Sequence, residues 1–188
     1  DYVVCKIPRW DLNKFDGVSK LLGSSMKSVG EVMSVGRTFE EAIQKGLRMV
    51  GQGKHGFVGN KPVKVNIDEE LEHPTDKRVY AIAEAFEQGY TIDDIHERTR
   101  IDRWFLQRLH RIHLFKETLR AHDGDGSQPL PEEVLREAKR MGFSDFQIAE
   151  LTMTRSDSPM FDRMLRIREM RKGMGILPCV KQIDTLAG

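Results

Sequence analysis

The strongest pattern in the chain lies between Ile101 and Leu119. Phe105, Leu109, Ile112 and Leu119 recur at helical spacing with Phe115 beside that line, while Arg103, His110, Arg111 and Thr118 fall on the opposite face. One apolar stripe with a charged reverse predicts an amphipathic helix of about five turns. Asp102 stands where a carboxylate can accept from the free amides of the first turn, so it is the expected N-cap. A stripe of that length needs cover from neighbouring helices. Trp104, Phe105, Leu109 and Ile112 are therefore the expected structural core; a ligand cage is the other reading of the two aromatics.

Upstream the pattern differs. Tyr2–Ile7 is a run of β-formers closed by Pro8, apolar on both faces, which predicts a buried strand with Cys5 as a small core residue. Asp11–Phe15 predicts a short helical turn ending near Gly17. Between Ser24 and Gly36, glycine bends separate one or two strands. Thr38-Phe39-Glu40-Glu41 has the form of a capping box, and Phe39, Ile43, Leu47 and Val50 line one face of the helix that follows. Gly51 ends it. The run GQGKHGFVGN, residues 51–60, reads as a flexible loop or linker, with a domain boundary near residues 58–70. It lacks the order of a phosphate loop. So does Gly23–Ser28, where Met26 takes the place of the second glycine.

Beyond that point helices take over. Pro74-Thr75-Asp76 opens one with Val79, Ile82, Ala83 and Phe86 inward, and Gly89 stops it. His122–Ser127 is a polar turn whose Asp-x-Asp pair lacks the other ligands of a calcium loop. Pro131 suits a first helical position, with Val134, Leu135 and Ala138 inward. An internal repeat runs through this half. Gly89-Tyr90-Thr91, Asp94-Ile95, Glu97 and Thr99 match Gly142-Phe143-Ser144, Gln147-Ile148, Glu150 and Thr152 at a constant offset. Each copy is a stop glycine, an aromatic and a capping box. A further helix follows each: the Trp104 helix, then a weaker one carrying Met164, Leu165, Ile167 and Met170, after a loop at Thr154–Pro159. The expected fold class is α+β, a short β-containing piece followed by an all-α domain of two small helical bundles.

Composition narrows the function. The 188 residues suit one domain or two small ones, and 30 Lys plus Arg against 29 Asp plus Glu gives no strong pull towards nucleic acid or an anionic membrane. No apolar run approaches the ~18 residues that would span a bilayer. Two cysteines, Cys5 and Cys179, without a CxxC pair argue against a zinc site and a secreted disulfide framework. They favour a reducing compartment, the cytoplasm first, with mitochondria also open. The chain opens on Asp1 within a strand-like run and reads as a piece of something longer. None of the six histidines stands in a catalytic motif. His110 and His113 make only half a metal site, so solvated side chains are the expectation. Glu40-Glu41 and Glu132-Glu133 sit in first helical turns, where they offset the helix dipole. One rival reading survives. Each repeat copy resembles a helix-turn-helix, and Arg98, Arg100, Arg103, Arg108 and Arg111 would supply phosphate contacts to DNA. The interleaved acids count against it.

Asp1-Tyr2-Val3-Val4-Cys5-Lys6-Ile7-Pro8-Arg9-Trp10, Met26–Met33, Gly36–Phe39, Pro74–Arg78, Ile101–Leu106, Gly142–Asp145 and Val180–Ala187 together resemble the large subunit of carbamoyl-phosphate synthase, in family order and over essentially the whole chain. Met153–Arg163 is less typical. The resemblance implies a parent with two ATP-grasp halves, using ATP and Mg or Mn, that joins bicarbonate to glutamine-derived ammonia. It places residues 1–60 at the end of the first, carboxyphosphate half. Residues 61–178 become a helical oligomerisation domain, and 179–188 a connector to the second half. The implied partners are the remaining synthetase halves, a glutaminase subunit or domain and further copies of the helical domain, with no nucleic acid or membrane. The family's ATP- and metal-binding carboxylates lie upstream of Asp1, so the resemblance carries no catalytic, cofactor-binding or metal residue onto this sequence, and the piece alone is expected to be inactive. It leaves one candidate, Gly17, whose missing side chain would suit the wall of an ammonia tunnel. The other reading of Gly17 is that it stops the Asp11–Phe15 turn.

Overall fold

The computed structural model describes residues 1–183; residues 184–188, the end of the expected connector, lie outside the described residues. The order is β1 (Val3–Arg9), β2 (Gly30–Gly36), α1 (Phe39–Met49), α2 (Ile67–Glu72), α3 (Arg78–Glu87), α4 (Ile92–Thr99), α5 (Arg103–Arg120), α6 (Glu132–Arg140), α7 (Asp145–Thr152) and α8 (Met160–Gly173), with a 3-10 turn at Leu12–Lys14. This is the expected short β part followed by helices.

The two strands pair antiparallel from Val3↔Gly36 to Arg9↔Gly30. Only one face of so small a sheet can be covered, and α1 covers it. β1 is therefore not the buried strand expected. Val4 and Lys6 face solvent while Val3, Cys5 and Ile7 are half-buried. Nor does Pro8 end the strand, because an outer edge tolerates its missing N–H. Burial raises the pKa of the Cys5 thiol.

α1 lies between the sheet and the helices, which broadens its buried surface beyond the predicted stripe to Glu40, Ala42, Gln44, Gly46 and Leu47. The sheet side needs small residues. A Cβ on Gly46 would stand 2.8 Å from Ile7 Cγ1 and from Ser34 Oγ. Ser34 donates to the Ala42 carbonyl at 2.7 Å, fastening strand to helix. The capping at Thr38 is shifted by one residue from the expected box. Thr38 Oγ1 accepts from Glu41 N, but the Glu41 carboxylate accepts from Arg37 N.

The repeat is repeated in geometry. Gly89 and Gly142 adopt φ 86° and 85°, left-handed values that favour glycine. Both capping boxes are complete, Thr91 with Asp94 and Ser144 with Gln147. Thr99 and Thr152 each donate back to the carbonyl four residues earlier, at 2.7 and 2.8 Å.

Three expectations need correction. On α5 the buried line is Leu106, Leu109, Ile112, Lys116 and Leu119, so Leu109 and Ile112 are core, but Trp104 and Phe105 are each 45% exposed. Residue 105 does share the phase of 112 and 119, but at this end of α5 its ring lies against Phe39 of α1 and stays half-exposed, while Leu106, about 100° round the helix on the side of His113, is the fully buried side chain. Residues 51–60 are no free linker. Phe57 and Val58 are buried with Leu47 and the helical core, and Asn60 braces the loop by accepting from His55 N and donating to the Gly56 carbonyl. Pro131 is the N-cap of α6 rather than its first helical residue. The sequence pattern also missed α2, a single acidic turn and a half capped by Asn66.

Candidate interaction site

The first turn of α1 meets the first half of α5. Glu40, only 3% exposed, stands 2.9 Å from Arg111 Nη1 and 3.7 Å from Arg108 Nη1. The Arg108 guanidinium lies 4.9 Å over the Trp104 ring, a cation–π arrangement. Phe39 completes the cluster, 5.7 Å from Trp104 and 5.5 Å from Phe105. The result is a half-exposed aromatic patch underpinned by a buried carboxylate paired with two partly exposed arginines. Rings held this way suit docking against another surface rather than chemistry. Glu40 was legible only as a dipole partner, since nothing in its own turn reveals that α5 stands over it.

The same contacts dispose of the phosphate-binding arginines. Arg98 pairs with Asp68 at 3.0 Å, Arg103 with Asp93 at 2.6 Å, and Arg108 and Arg111 share Glu40. Arg100, at φ 58°, terminates α4. Four of the five proposed cations are thus answered by carboxylates of the same chain.

A second junction joins α1 to α7. Gln44 and Gln147 are both fully buried. Gln147 Nε2 donates to Gln44 Oε1 at 3.0 Å and to the Val58 carbonyl at 2.8 Å. Gln44 Nε2 donates to the Met141 carbonyl at 3.0 Å, and its Oε1 also accepts from Phe57 N at 3.3 Å. Gln147 Oε1 keeps its capping role, accepting from Ser144 N. Sequence reasoning found Gln147 as a cap and missed its second role; Gln44 gave no signal.

His110 and His113 are not the solvated pair expected. Their rings stack 5.9 Å apart, and His113 is 9% exposed. Burial lowers the pKa of both. Ligand atoms of Glu87, His113 and Glu117 lie within 4.8 Å of one another. A cation already serves those carboxylates, because the fully buried Lys116 forms ion pairs with Glu87 and, at 3.1 Å, with Glu117. Gly17 sits in an exposed turn at φ 74°, with nothing within 4 Å of a Cβ built on it.

A family model described as "Carbamoyl-phosphate synthetase large chain, oligomerisation domain" matches residues 31–175. The chain belongs to this family. The match begins in β2 and takes in α1 with the helices, which agrees with their common core. Over all its residues the oligomerisation-domain chain is 50% identical to "Multifunctional protein pyr1-3" of Dictyostelium discoideum and to "Multifunctional protein URA2" of Saccharomyces cerevisiae. It is 45% identical to "Carbamoyl-phosphate synthase [ammonia], mitochondrial" of Aquarana catesbeiana. It spans 8% of the length of the first two relatives and 12% of the third. Membership in the oligomerisation-domain family replaces the helix-turn-helix reading. No helix among the described residues is long and apolar enough to cross a membrane.

Proposed function

We propose that this chain is the linking and self-associating segment of a carbamoyl-phosphate synthase, an enzyme that makes carbamoyl phosphate from bicarbonate and glutamine-derived ammonia with ATP and Mg or Mn. Residues 1–60 form the end of the carboxyphosphate half, 61–178 the oligomerisation domain and 179–188 the connector. The segment supplies scaffold; the other parts of the polypeptide supply the catalytic groups. Its partners are the other synthetase parts, a glutaminase subunit or domain and second copies of itself, in the cytoplasm. The observation that carries this reading is the family match over residues 31–175. The buried Gln44–Gln147 junction supports it, because a rigid tie between α1 and the helices suits a segment that sets the positions of larger domains. The half-exposed Phe39–Trp104–Phe105 patch is the surface assigned to association. In the complete enzyme, Trp104→Ser with Phe105→Ser should shift sedimentation to smaller species while the circular dichroism spectrum is kept. Unchanged assembly would remove the patch from the interface. Bicarbonate-dependent ATP hydrolysis by the 188-residue chain alone would overturn the scaffold assignment.

The assignment of Gly17 to the wall of an ammonia passage belongs to the same reading. Its positive φ gives glycine a backbone role there as well, so the test needs a fold control. Asn tolerates that conformation. Gly17→Phe in the complete enzyme should sharply reduce glutamine-dependent synthesis while glutaminase activity and synthesis from added ammonia survive; Gly17→Asn should leave far more of it. Parallel loss of all three activities in Gly17→Phe would leave only the turn.

A further inference from the structure

Between the sheet, α1, α6 and the tail after α8 runs an open groove of about 1610 Å³. Arg37, Arg48, Lys139, Arg140, Arg171 and Lys181 line it. Asp145 answers two of them, 2.8 Å from Lys139 Nζ and 3.0 Å from Arg171 Nε. Arg48 is different. Its Nη1 donates to the carbonyls of His55 and Gly142, both at 3.2 Å, and among the described residues no carboxylate stands in ion-pair range of it. Arg37 likewise donates to a carbonyl, that of Asp1, at 2.8 Å. Burial opposes the charge on Arg48 and Lys139 and lowers both pKa values. Asp145, paired to Lys139 and Arg171, offsets only part of that cost at Arg48, so an anion entering the groove would stabilise a cation already taken partly out of water. The chain as a whole carries a formal charge of only +1, so this groove is a local excess.

We propose that the groove holds an acidic, partly apolar segment of the parent polypeptide from outside these 188 residues. The proposal rests on the reading that the chain is one part of a larger synthase. Three features select this occupant. The cations come from separate segments and are spread along a volume far larger than one phosphate needs. Apolar side chains, Phe143, Ile176 and Leu177 among them, share the lining, which suits a peptide with alternating acidic and apolar positions. Relatives of which the chain spans 8–12% have most of their polypeptide elsewhere. A second copy seated in the groove is the outcome that links between differently labelled copies would reveal.

The test uses the complete enzyme, mixed from isotopically light and heavy preparations, and a carbodiimide, which joins a carboxylate directly to an amine. Mass spectrometry should find Lys181 or Lys139 joined to Asp or Glu residues outside this segment, within copies of one isotope. Arg48→Gln combined with Arg140→Gln should reduce those links several-fold with the circular dichroism spectrum unchanged. Links between light and heavy copies, links confined to the 188 residues, or a yield indifferent to the two substitutions would each overturn the proposal. Failure of the wider reading is seen separately, as a complete enzyme that makes no carbamoyl phosphate.

Discussion

Removing one glutamine from the α1–α7 junction should cost more than removing any surface residue, and the structure sets the size. Gln44→Ala deletes one donor and one acceptor in a site with no exposed surface. The Phe57 amide, the Met141 carbonyl and one Gln147 N–H lose their partners. A buried polar group left unpaired costs about 1–3 kcal/mol. The one lost methylene adds about 0.8 kcal/mol, and local rearrangement recovers part of the total. A net loss of about 3–4 kcal/mol follows. Gln147→Ala should cost a similar amount, since it also breaks the bond to Val58 and the reciprocal half of the Ser144 cap. The two share one bond, so the double variant should lose about 1–2 kcal/mol less than the two single losses combined. Urea titration followed by circular dichroism reads this directly, because a slope of about 2–3 kcal/mol/M turns each single loss into a midpoint shift of about 1–2 M. Single losses below about 0.5 kcal/mol, the range of ordinary surface substitutions, or strictly additive ones would refute the buried tie.

Other outcomes follow from particular contacts. Gly46→Ala gains about 1 kcal/mol of helix propensity but drives a methyl into Ile7 and Ser34, for a net loss of about 1–2 kcal/mol in thermal unfolding. Leu106→Ala, at a fully buried position, should cost about 2–5 kcal/mol, and Phe105→Ala, half-exposed, about 1–2 kcal/mol; the reverse order in urea titrations would restore the sequence-based stripe. His55 stacks 3.6 Å from Phe146, and burial, helped by the Arg48 charge, lowers its pKa from 6.5. The unfolded chain then binds protons that folded His55 resists, so stability is full above about pH 6.5 and falls as pH drops from there towards the folded pKa. His55→Phe should flatten that part of the profile, measured as urea midpoints at pH 7.5 and 5.5.

Local signals survived translation into structure where the physics is local. Stop glycines, capping residues and the order of helices in the second half were all readable, because each depends on neighbours within a turn. The α5 stripe failed only in its first turn, where Phe105 keeps the helical phase of Ile112 and Leu119 and yet lies half-exposed against Phe39. Periodicity says which side chains share a face, but which part of that face is covered at a helix end depends on the elements packed there, and it is Leu106 that meets the core. Residues 51–60 looked like a linker because glycine is frequent there, yet Phe57 and Val58 plug the core. The candidate interaction site was least legible. Glu40, Arg108 and Arg111 lie on two helices, and only tertiary packing brings them together.

The two copies of the repeat show how the same local device acquires different roles. In both, a hydroxyl and a residue three positions on close the first turn of a helix. Asp94 is half-buried and acts as a cap alone, its carboxylate held below its usual pKa chiefly by its bonds from Thr91. The second copy carries Gln147, and an amide differs from a carboxylate in having donors to spare after its oxygen has served the cap. Those donors reach Gln44 and Val58, which belong to the part of the chain before the repeat. A carboxylate there would place its charge beside the Gln44 oxygen and the Val58 carbonyl in a fully buried site. Gln147→Glu should therefore preserve the N-terminal cap and still unfold the chain more easily at neutral pH than at pH 4, where protonation restores a donor. A variant equally stable at both pH values, after correction for the parent's own profile, would mean that the cap, and not the tie to α1, is what Gln147 contributes.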